Sequence, residues 1–507
     1  MMLLAGSLAA TAVDYPGTLA VVIDGSAAQP TETQIVIDKQ EDGKYGLTLK
    51  NFILVQGADS MAIGNIVLKD VEAVEEQGTL MLETKQTITL ENGDAEGVLL
   101  WFGPLLGEVP VELQAVVEGG VLRADIAVPI GNQDVKVVFD SREFQLPNAG
   151  FEDFHTATAG NATSDEPNNW HSFMSCTGSL ASVVSSVPHT FISEDTRPGS
   201  DGSKSVLVKS GKVMGMFTAN GTLTTGQLKA GSMLTTSTDN NAFLDLSNEA
   251  RDANGDPFYT VLTTLPDSIG AWVKFKQGEA VAAHPYATMS AVITDGSYYQ
   301  EPVDKDYSDI IVGKAGCNTI EGTGEWQRIV VPFEYANASK LPKGILVTFS
   351  TNADAGEGTG NDELYVDDVE LVYSSYLSDL SVNGATLTGF AADKFDYEYA
   401  LAEGTMPTAD EMADMTGYVA GGNEAKSFVT VRNNTVSVLV LSADLLSNHT
   451  YTIKFVDGAA GVENIINSGD NAKAVYTLGG QKVDGMKKGG MYITKYANGK
   501  TVKSVNK

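Results

Sequence analysis

Gly150-Phe151-Glu152-Asp153 at one end and Leu364-Tyr365-Val366-Asp367-Asp368-Val369-Glu370-Leu371 at the other bracket the stretch whose reading decides the fold. Between them lie Asn169-Trp170-His171 and Thr196-Arg197-Pro198-Gly199-Ser200-Asp201-Gly202. Short strands parted by turn residues, opened by a Phe-Glu-Asp motif and closed by a strand carrying paired acids, predict an antiparallel jelly roll over 148–375. Its first and last strands are expected to lie side by side. That is the architecture of a binding module rather than of an obvious catalyst.

Upstream, residues 13–140 also read as all-β. Leu19-Ala20-Val21-Val22-Ile23 precedes Asp24-Gly25, and Gln34-Ile35-Val36-Ile37 precedes Glu41-Asp42-Gly43, which Tyr45-Gly46-Leu47-Thr48-Leu49 follows. Apolar runs ended by Asp-Gly turns are meander hairpins. With the later runs at Gly64–Leu68, Val111–Val116 and Val135–Phe139, about eight short strands suit a closed antiparallel barrel. Trp101 and Phe102 read as structural aromatics at a barrel end. A turn-rich joint, Pro147-Asn148-Ala149-Gly150, separates this unit from the next.

A smaller unit is expected over 376–458, and a C-terminal segment of different character over 461–507. Between Val475 and Lys507 there are seven lysines and one acid, Asp484, a basic bias inside an acidic protein. At the other end, Met1 to Ala12 is a short apolar run ending in Ala10-Thr11-Ala12, a pattern of small residues at a signal-peptide cleavage site. It is too short to span a bilayer as a helix, so no transmembrane segment is expected.

The fold class is therefore all-β and multidomain. The 507 residues exceed one ordinary core, and 52 glycines with many Thr, Val and Tyr favour strands and tight turns. With 65 acidic against 33 basic residues the formal charge is -32, which argues against nucleic acid or an anionic membrane as partner.

Resemblances sharpen this reading. The Thr196 to Lys204 motif and Ala219-Asn220-Gly221-Thr222-Leu223-Thr224-Thr225-Gly226 resemble the carbohydrate-metabolism domain of proteins secreted by gut and oral anaerobic Gram-negative bacteria, a relative of galactose-binding-like modules. Tyr15-Pro16-Gly17-Thr18-Leu19, Leu49-Lys50-Asn51-Phe52, and Ile63-Gly64-Asn65-Ile66 followed by Val71 resemble the calycin-like β-barrel domain, whose lipocalin relatives hold small apolar ligands. Leu377 to Gly384, Phe395-Asp396-Tyr397-Glu398-Tyr399 and Tyr451-Thr452-Ile453-Lys454-Phe455 resemble a cadherin-like or immunoglobulin-like β-sandwich, a spacer type. Val475-Tyr476-Thr477-Leu478-Gly479-Gly480-Gln481 and Gly490-Met491-Tyr492-Ile493 resemble the sorting domain of type IX secretion. Together these imply a secreted or outer-surface protein of a Gram-negative bacterium that binds glycan.

Catalytic motifs are lacking: there is no Gly-x-Ser-x-Gly elbow, phosphate loop, His-Glu-x-x-His or Gly-x-Gly-x-x-Gly, and no catalytic residue is assigned. A glycoside-acting enzyme would need two facing carboxylates. Glu152, Asp153, Asp367 and Asp368 would converge if the end strands are neighbours. By resemblance to galactose-binding-like modules such a place holds a structural calcium ion, for which carboxylate oxygens are suitable ligands; the alternative is plain strand-end acids. Asp252-Ala253-Asn254-Gly255-Asp256 lacks the distal Glu of a calcium loop and reads as a solvated turn. Among the five histidines, His155, His171 and His189 are spaced too widely for a local metal pair.

Sugar binding needs an aromatic face for the C–H side of a pyranose and polar groups for its hydroxyls. Asn169, Trp170, His171, Tyr298 and Tyr299 are the candidates, with core packing the rival role for Trp170. Arg197 either braces ligand hydroxyls or pins its own loop as an ion pair. Cys176 and Cys317, the only two cysteines, form either a disulfide or two separate thiols. The rival to glycan binding is a structural or adhesive protein that recognises a surface protein partner.

Overall fold

The structure is a computed structural model. It describes residues 12–457 apart from 41, 57–58, 337–339 and 402–405, and then 472–477, 482–483, 491–496 and 501–505. The expected signal peptide lies outside the described residues except for Ala12, which opens the first strand. Described residues are nearly all strand, turn or loop, and no helix among them is long and apolar enough to cross a membrane.

The barrel is a nine-stranded antiparallel sheet in which the two-residue arm Ser26–Ala27 adds to the first strand and the other strands follow in sequence order. Eight strands therefore make its wall. Closure is made by Ala12–Ile23, which pairs through 12–19 with Thr31–Lys39 and through 18–23 with Val135–Asp140. Where the strand changes partner the backbones come close: a Cβ on Gly17 would sit 2.4 Å from the Asp140 carbonyl oxygen. Alternate residues such as Ile35, Ile37, Leu47, Leu49, Ile66 and Leu68 turn inward and fill the interior as one apolar core.

The motifs quoted above for this barrel mark a β-bulge. Leu49 pairs with Ile66 and Phe52 with Gly64, so one strand carries an extra residue there. Asn51 takes the left-handed conformation (φ 53°) that Asn tolerates. The Asn65 Oδ1 accepts from the Asn51 N–H at 2.8 Å, and the Asn51 Oδ1 accepts from the Asp94 N–H at 2.8 Å. Trp101 is buried and Phe102 is 40% exposed, both near this bulged end, where Phe102 donates its N–H to the Ala62 carbonyl.

The central unit is a sandwich of two antiparallel sheets. One has the order Thr190–Ser193, Ser205–Lys209, Glu363–Val372, Ser268–Lys276, Gln327–Pro332. The other has the order Thr222–Thr224, Gly344–Ser350, Tyr286–Thr294, Ile311–Glu321, Glu334–Tyr335, with Thr260–Val261 also on Gly344–Ser350. Val206, Ile269, Val273 and Val366 from the first meet Met289, Ala291, Val347 and Phe349 from the second in one core.

The expected pairing of first and last strands is corrected. Phe154–Ala159 forms a separate hairpin with Ala162–Pro167. It is the preceding irregular segment that runs along Glu363–Val372: the Gln145 side chain bonds both the N–H and the carbonyl of Leu371, and the Val369 N–H donates to the Ala149 carbonyl. Of the two alternatives for the cysteines, the structure shows separate thiols. Cys176 packs with Leu228 and Tyr299 whereas Cys317 packs on the main sandwich core, and both are free thiols.

Chain contacts divide the molecule into two compact units, the first comprising 1–376, 420–427 and 440–448, the second comprising 377–419, 428–439 and 449–507. In the second, Asp396–Ala400 pairs in parallel with the 452–456 part of Asn448–Val456. There the buried Tyr451 hydroxyl donates to the Ala392 carbonyl and accepts from the Leu377 N–H. Its helix Ala409–Met415 opens on a capping box in which Thr408 and Glu411 satisfy each other's backbone N–H. The described part of the C-terminal segment is a four-stranded sheet.

Candidate functional site

The outward face of the second sheet carries a cleft of about 880 Å³, within the range of small-molecule sites. Strand periodicity builds its floor. Along Tyr286–Thr294 the residues Ala287, Met289, Ala291 and Ile293 enter the core, which sends Thr288, Ser290 and Val292 to the cleft. Register does the rest: Thr288 pairs with Ser350, and Ser290 pairs with Thr348 on one side and Gly316 on the other. The floor is thus a row of hydroxyls drawn from two strands, bordered by Gly316 on a third.

A small sheet of Gln227–Ala230, Asn240–Leu244 and Tyr299–Glu301 supplies one wall. Another comes from the hairpin Gly211–Val213 and Phe217–Ala219, whose turn residue Met214 is 63% exposed and whose Phe217 is 38% exposed. Met233, 51% exposed, adds a third apolar group to the rim. The result is a polar floor under an apolar rim, the combination an amphipathic ring requires.

Hydrogen bonds fix the polar groups. Glu301 Oε2 accepts from the Ser290 hydroxyl at 2.8 Å and its Oε1 from the Tyr299 hydroxyl at 2.7 Å, while Lys314 Nζ donates to the Tyr299 oxygen at 3.1 Å. Burial, and then the Glu301 charge, hold the Tyr299 phenol well above its ordinary value, so it stays a donor. Asn220 and Asn241 line the cleft with their amide nitrogens committed to backbone carbonyls, Asn352 and Asp354 for the first and Thr238 for the second. Their Oδ1 atoms are buried and have no hydrogen-bond partner among the described residues.

The sugar-binding candidates read from sequence fare differently. Trp170 is fully buried, 5.1 Å from the Phe151 ring and 6.3 Å from Phe349, with its indole N–H given to the Pro147 carbonyl. It is core and cannot stack on a ligand. His171 is also fully buried, against Phe258. Asn169 is at φ 66° and donates its N–H to Asp256. Tyr298 is 39% exposed and stacks on Phe243 away from the cleft lining. Tyr299 reaches the site, as a support behind Glu301 and Lys314.

The four acids expected to hold calcium do not form a metal-ligand group. Glu152 accepts from the Ser203 and Lys204 N–H groups, both at 2.9 Å, and so pins that turn. Asp153 is exposed. Asp367 accepts from the Arg197 N–H at 3.0 Å and Asp368 from the Arg197 Nε at 2.6 Å. Arg197 therefore pins its own loop, and its guanidinium lies over Trp272.

Sequence reasoning missed the floor because its cross-strand partners, Ser290 with Thr348 and Thr288 with Ser350, are 58 and 62 positions apart. One signal was available: Asn220 lies inside the Ala219–Gly226 stretch already singled out.

Comparison with known proteins places the first domain. A model of the calycin-like beta-barrel domain family matches residues 12–141, and the closed barrel is that domain. No curated protein matches the chain. Among solved structures, a candidate glycoside hydrolase from Bacteroides thetaiotaomicron VPI-5482 is 17% identical over 53% of this chain and 86% of its own, with a TM-score of 0.30. A structure of PNGF-II is 9% identical over 72% of this chain and 70% of its own, with a TM-score of 0.13. Both likenesses are too loose to assign a fold or an activity.

Proposed function

We propose that this is a non-catalytic glycan-binding protein, secreted or held at the outer surface of a Gram-negative bacterium, with the central jelly roll as its binding module. The observation that supports this most is the cleft: a hydroxyl-lined floor under an apolar rim at Met214 and Phe217. Sugar hydroxyls would bond with the Thr288, Ser290 and Ser350 hydroxyls of the floor, and the C–H face of the ring would lie on Phe217. The calycin-like barrel is suited to ligand binding by its family, but its interior here is an apolar core, so its role in this reading is positional. Export rests on the sorting-like tail; deleting 461–507 should hold the protein in the periplasm.

A glycan array followed by calorimetry on the full chain tests the assignment. Phe217→Ala and Thr288→Ala should each weaken binding by about tenfold, equivalent to about 1.4 kcal/mol, with melting unchanged for Phe217→Ala. A blank array together with tight binding to a purified surface protein would move the assignment to the adhesive alternative, for which the Met-rich rim is the supporting feature.

A further inference from the structure

Away from the cleft floor, His155, Glu166, His171 and Asp252 hold five buried polar atoms that make no hydrogen bond within the described residues: His155 Nε2, Glu166 Oε2, both ring nitrogens of His171, and Asp252 Oδ2. Glu166, His171 and the Asp252 side chain are fully buried, and the His155 side chain is 9% exposed. Such a concentration of unsatisfied groups in one place is rare in a folded protein and calls for a physical reason.

Local structure brings them together. His155 and Glu166 are cross-strand partners in the hairpin Phe154–Pro167. His171 is set by a backbone bridge to Thr224, its N–H donating at 2.8 Å. Asp252 opens a turn in which its Oδ1 accepts from the N–H groups of Asn254 at 2.9 Å and Asp256 at 2.8 Å. Each carboxylate is anchored through one oxygen only. Glu166 Oε1 accepts from the Ser172 N–H at 2.7 Å and from the Ser175 hydroxyl at 3.0 Å, which leaves Oε2 free.

The free atoms face one another. Asp252 Oδ2 lies 3.5 Å from both His155 Nε2 and His171 Nε2, and Glu166 Oε2 lies 3.8 Å from His155 Nε2. These separations exceed hydrogen-bond lengths. They match the edges of a metal polyhedron, since bonds near 2.0–2.1 Å at tetrahedral angles put ligand atoms about 3.3 Å apart. His155 Nδ1 is 3.2 Å from Asn168 Oδ1, a contact that fixes the ring with Nε2 turned toward two carboxylate oxygens. Two carboxylates gathered at one buried point call for positive charge beside them. No lysine or arginine among the described residues pairs with Glu166, Asp252 or Asp256.

We propose that this is a metal site for a divalent ion of the zinc class, held by His155 Nε2 and the carboxylates of Asp252 and Asp256, whose ligand atoms lie within 4.8 Å of one another. His171 Nε2 and Glu166 Oε2 are the adjoining donors. Imidazole nitrogen selects against calcium, which takes oxygen ligands. The His155 and Asp252 side chains are nearly out of solvent, with Asp256 half-buried at the edge of its turn, and an ion held there is structural: it ties the hairpin Phe154–Pro167 to the turn 251–257. It is independent of what the cleft binds.

The test is metal binding by the full chain, stripped with chelator and titrated with Co²⁺ and then Zn²⁺. The expected result is about one Co²⁺ per chain with visible absorption from nitrogen and oxygen ligation, displaced by Zn²⁺ and accompanied by a rise in melting temperature. Asp256→Asn and His155→Ala should weaken binding at least tenfold, whereas His284→Ala, a surface histidine paired with Asp354, should not. Should a site variant fail to fold, the Tm of the stripped native chain with and without Zn²⁺ still decides. No uptake and no Tm rise in the native chain, uptake unchanged in a folded Asp256→Asn, or retention of Ca²⁺ in preference to Co²⁺ would each overturn the proposal.

Discussion

Arg142 and Glu424, 282 residues apart, meet at 2.7 Å through Nη1 and Oε1, and the same guanidinium grips Asp140 through Nε and Nη2. The Arg142 side chain is only 7% exposed, so the last residue of the barrel wall, the joint and the segment 420–427 are tied at one buried point. Removing the cation would strand Asp140 without compensation. Arg142→Met should lose about 3–5 kcal/mol in chemical denaturation, and Glu424→Gln, which keeps an acceptor, about 1 kcal/mol. Equal losses for the two would show that charge at Glu424 matters as much as the whole clasp.

Trp170→Ala should behave as a core deletion. With Phe151 and Phe349 packed on the ring, the loss is about 3–5 kcal/mol of stability. Affinity of the folded fraction for any cleft ligand should be unchanged, and an affinity loss without destabilisation would return Trp170 to a binding role.

Asp367 is fully buried, and burial first, then the neighbouring Asp368, push its carboxyl up to about 6 against the backbone donation from Arg197. Its folded value lies above its unfolded one, so the contribution is fully present below about pH 4 and is lost as pH rises through 6. Asp367→Asn should remove that slope: its stability relative to the native chain should increase between pH 4 and 7 and then level off. A constant difference across that window would mean the carboxyl titrates normally.

Cys176 should be inert. Burial pushes its thiol up to about 12, so at pH 8 the thiolate is scarcer by about three orders of magnitude than for an ordinary cysteine. Peptide mapping after brief alkylation of the folded protein should find Cys176 unmodified, and it should react once denatured. A Cys176–Cys317 crosslinked peptide in the non-reduced digest would contradict the separate thiols.

Much of the barrel was legible because its signal is local. Ile35 and Ile37, then Leu47 and Leu49, alternate within single strands, and Asp24-Gly25 or Asp42-Gly43 end them in turns. The sandwich strands were legible too, but Trp170 was not: whether it is core depends on Phe349, 179 positions later, taking its place beside it. The cleft floor needed the register between Ser290, Thr348 and Gly316, which no spacing reveals. His155 and Asp252 looked like an isolated loop histidine and a solvated turn because the fold alone joins them.

Barrel closure also sets a timetable. As the chain leaves the ribosome, residues 20–23 of the first strand have no long partner until Val135–Asp140 is made, more than a hundred residues later. For that interval Ala20-Val21-Val22-Ile23 is an apolar run with one unpaired backbone edge, a surface on which another nascent chain can add as a strand. The two-residue arm Ser26–Ala27, which folds back onto Val22 and Ile23, already covers part of the opposite side of that strand. What remains open is a period of exposure that length alone dictates, and it ends only when the last wall strand arrives.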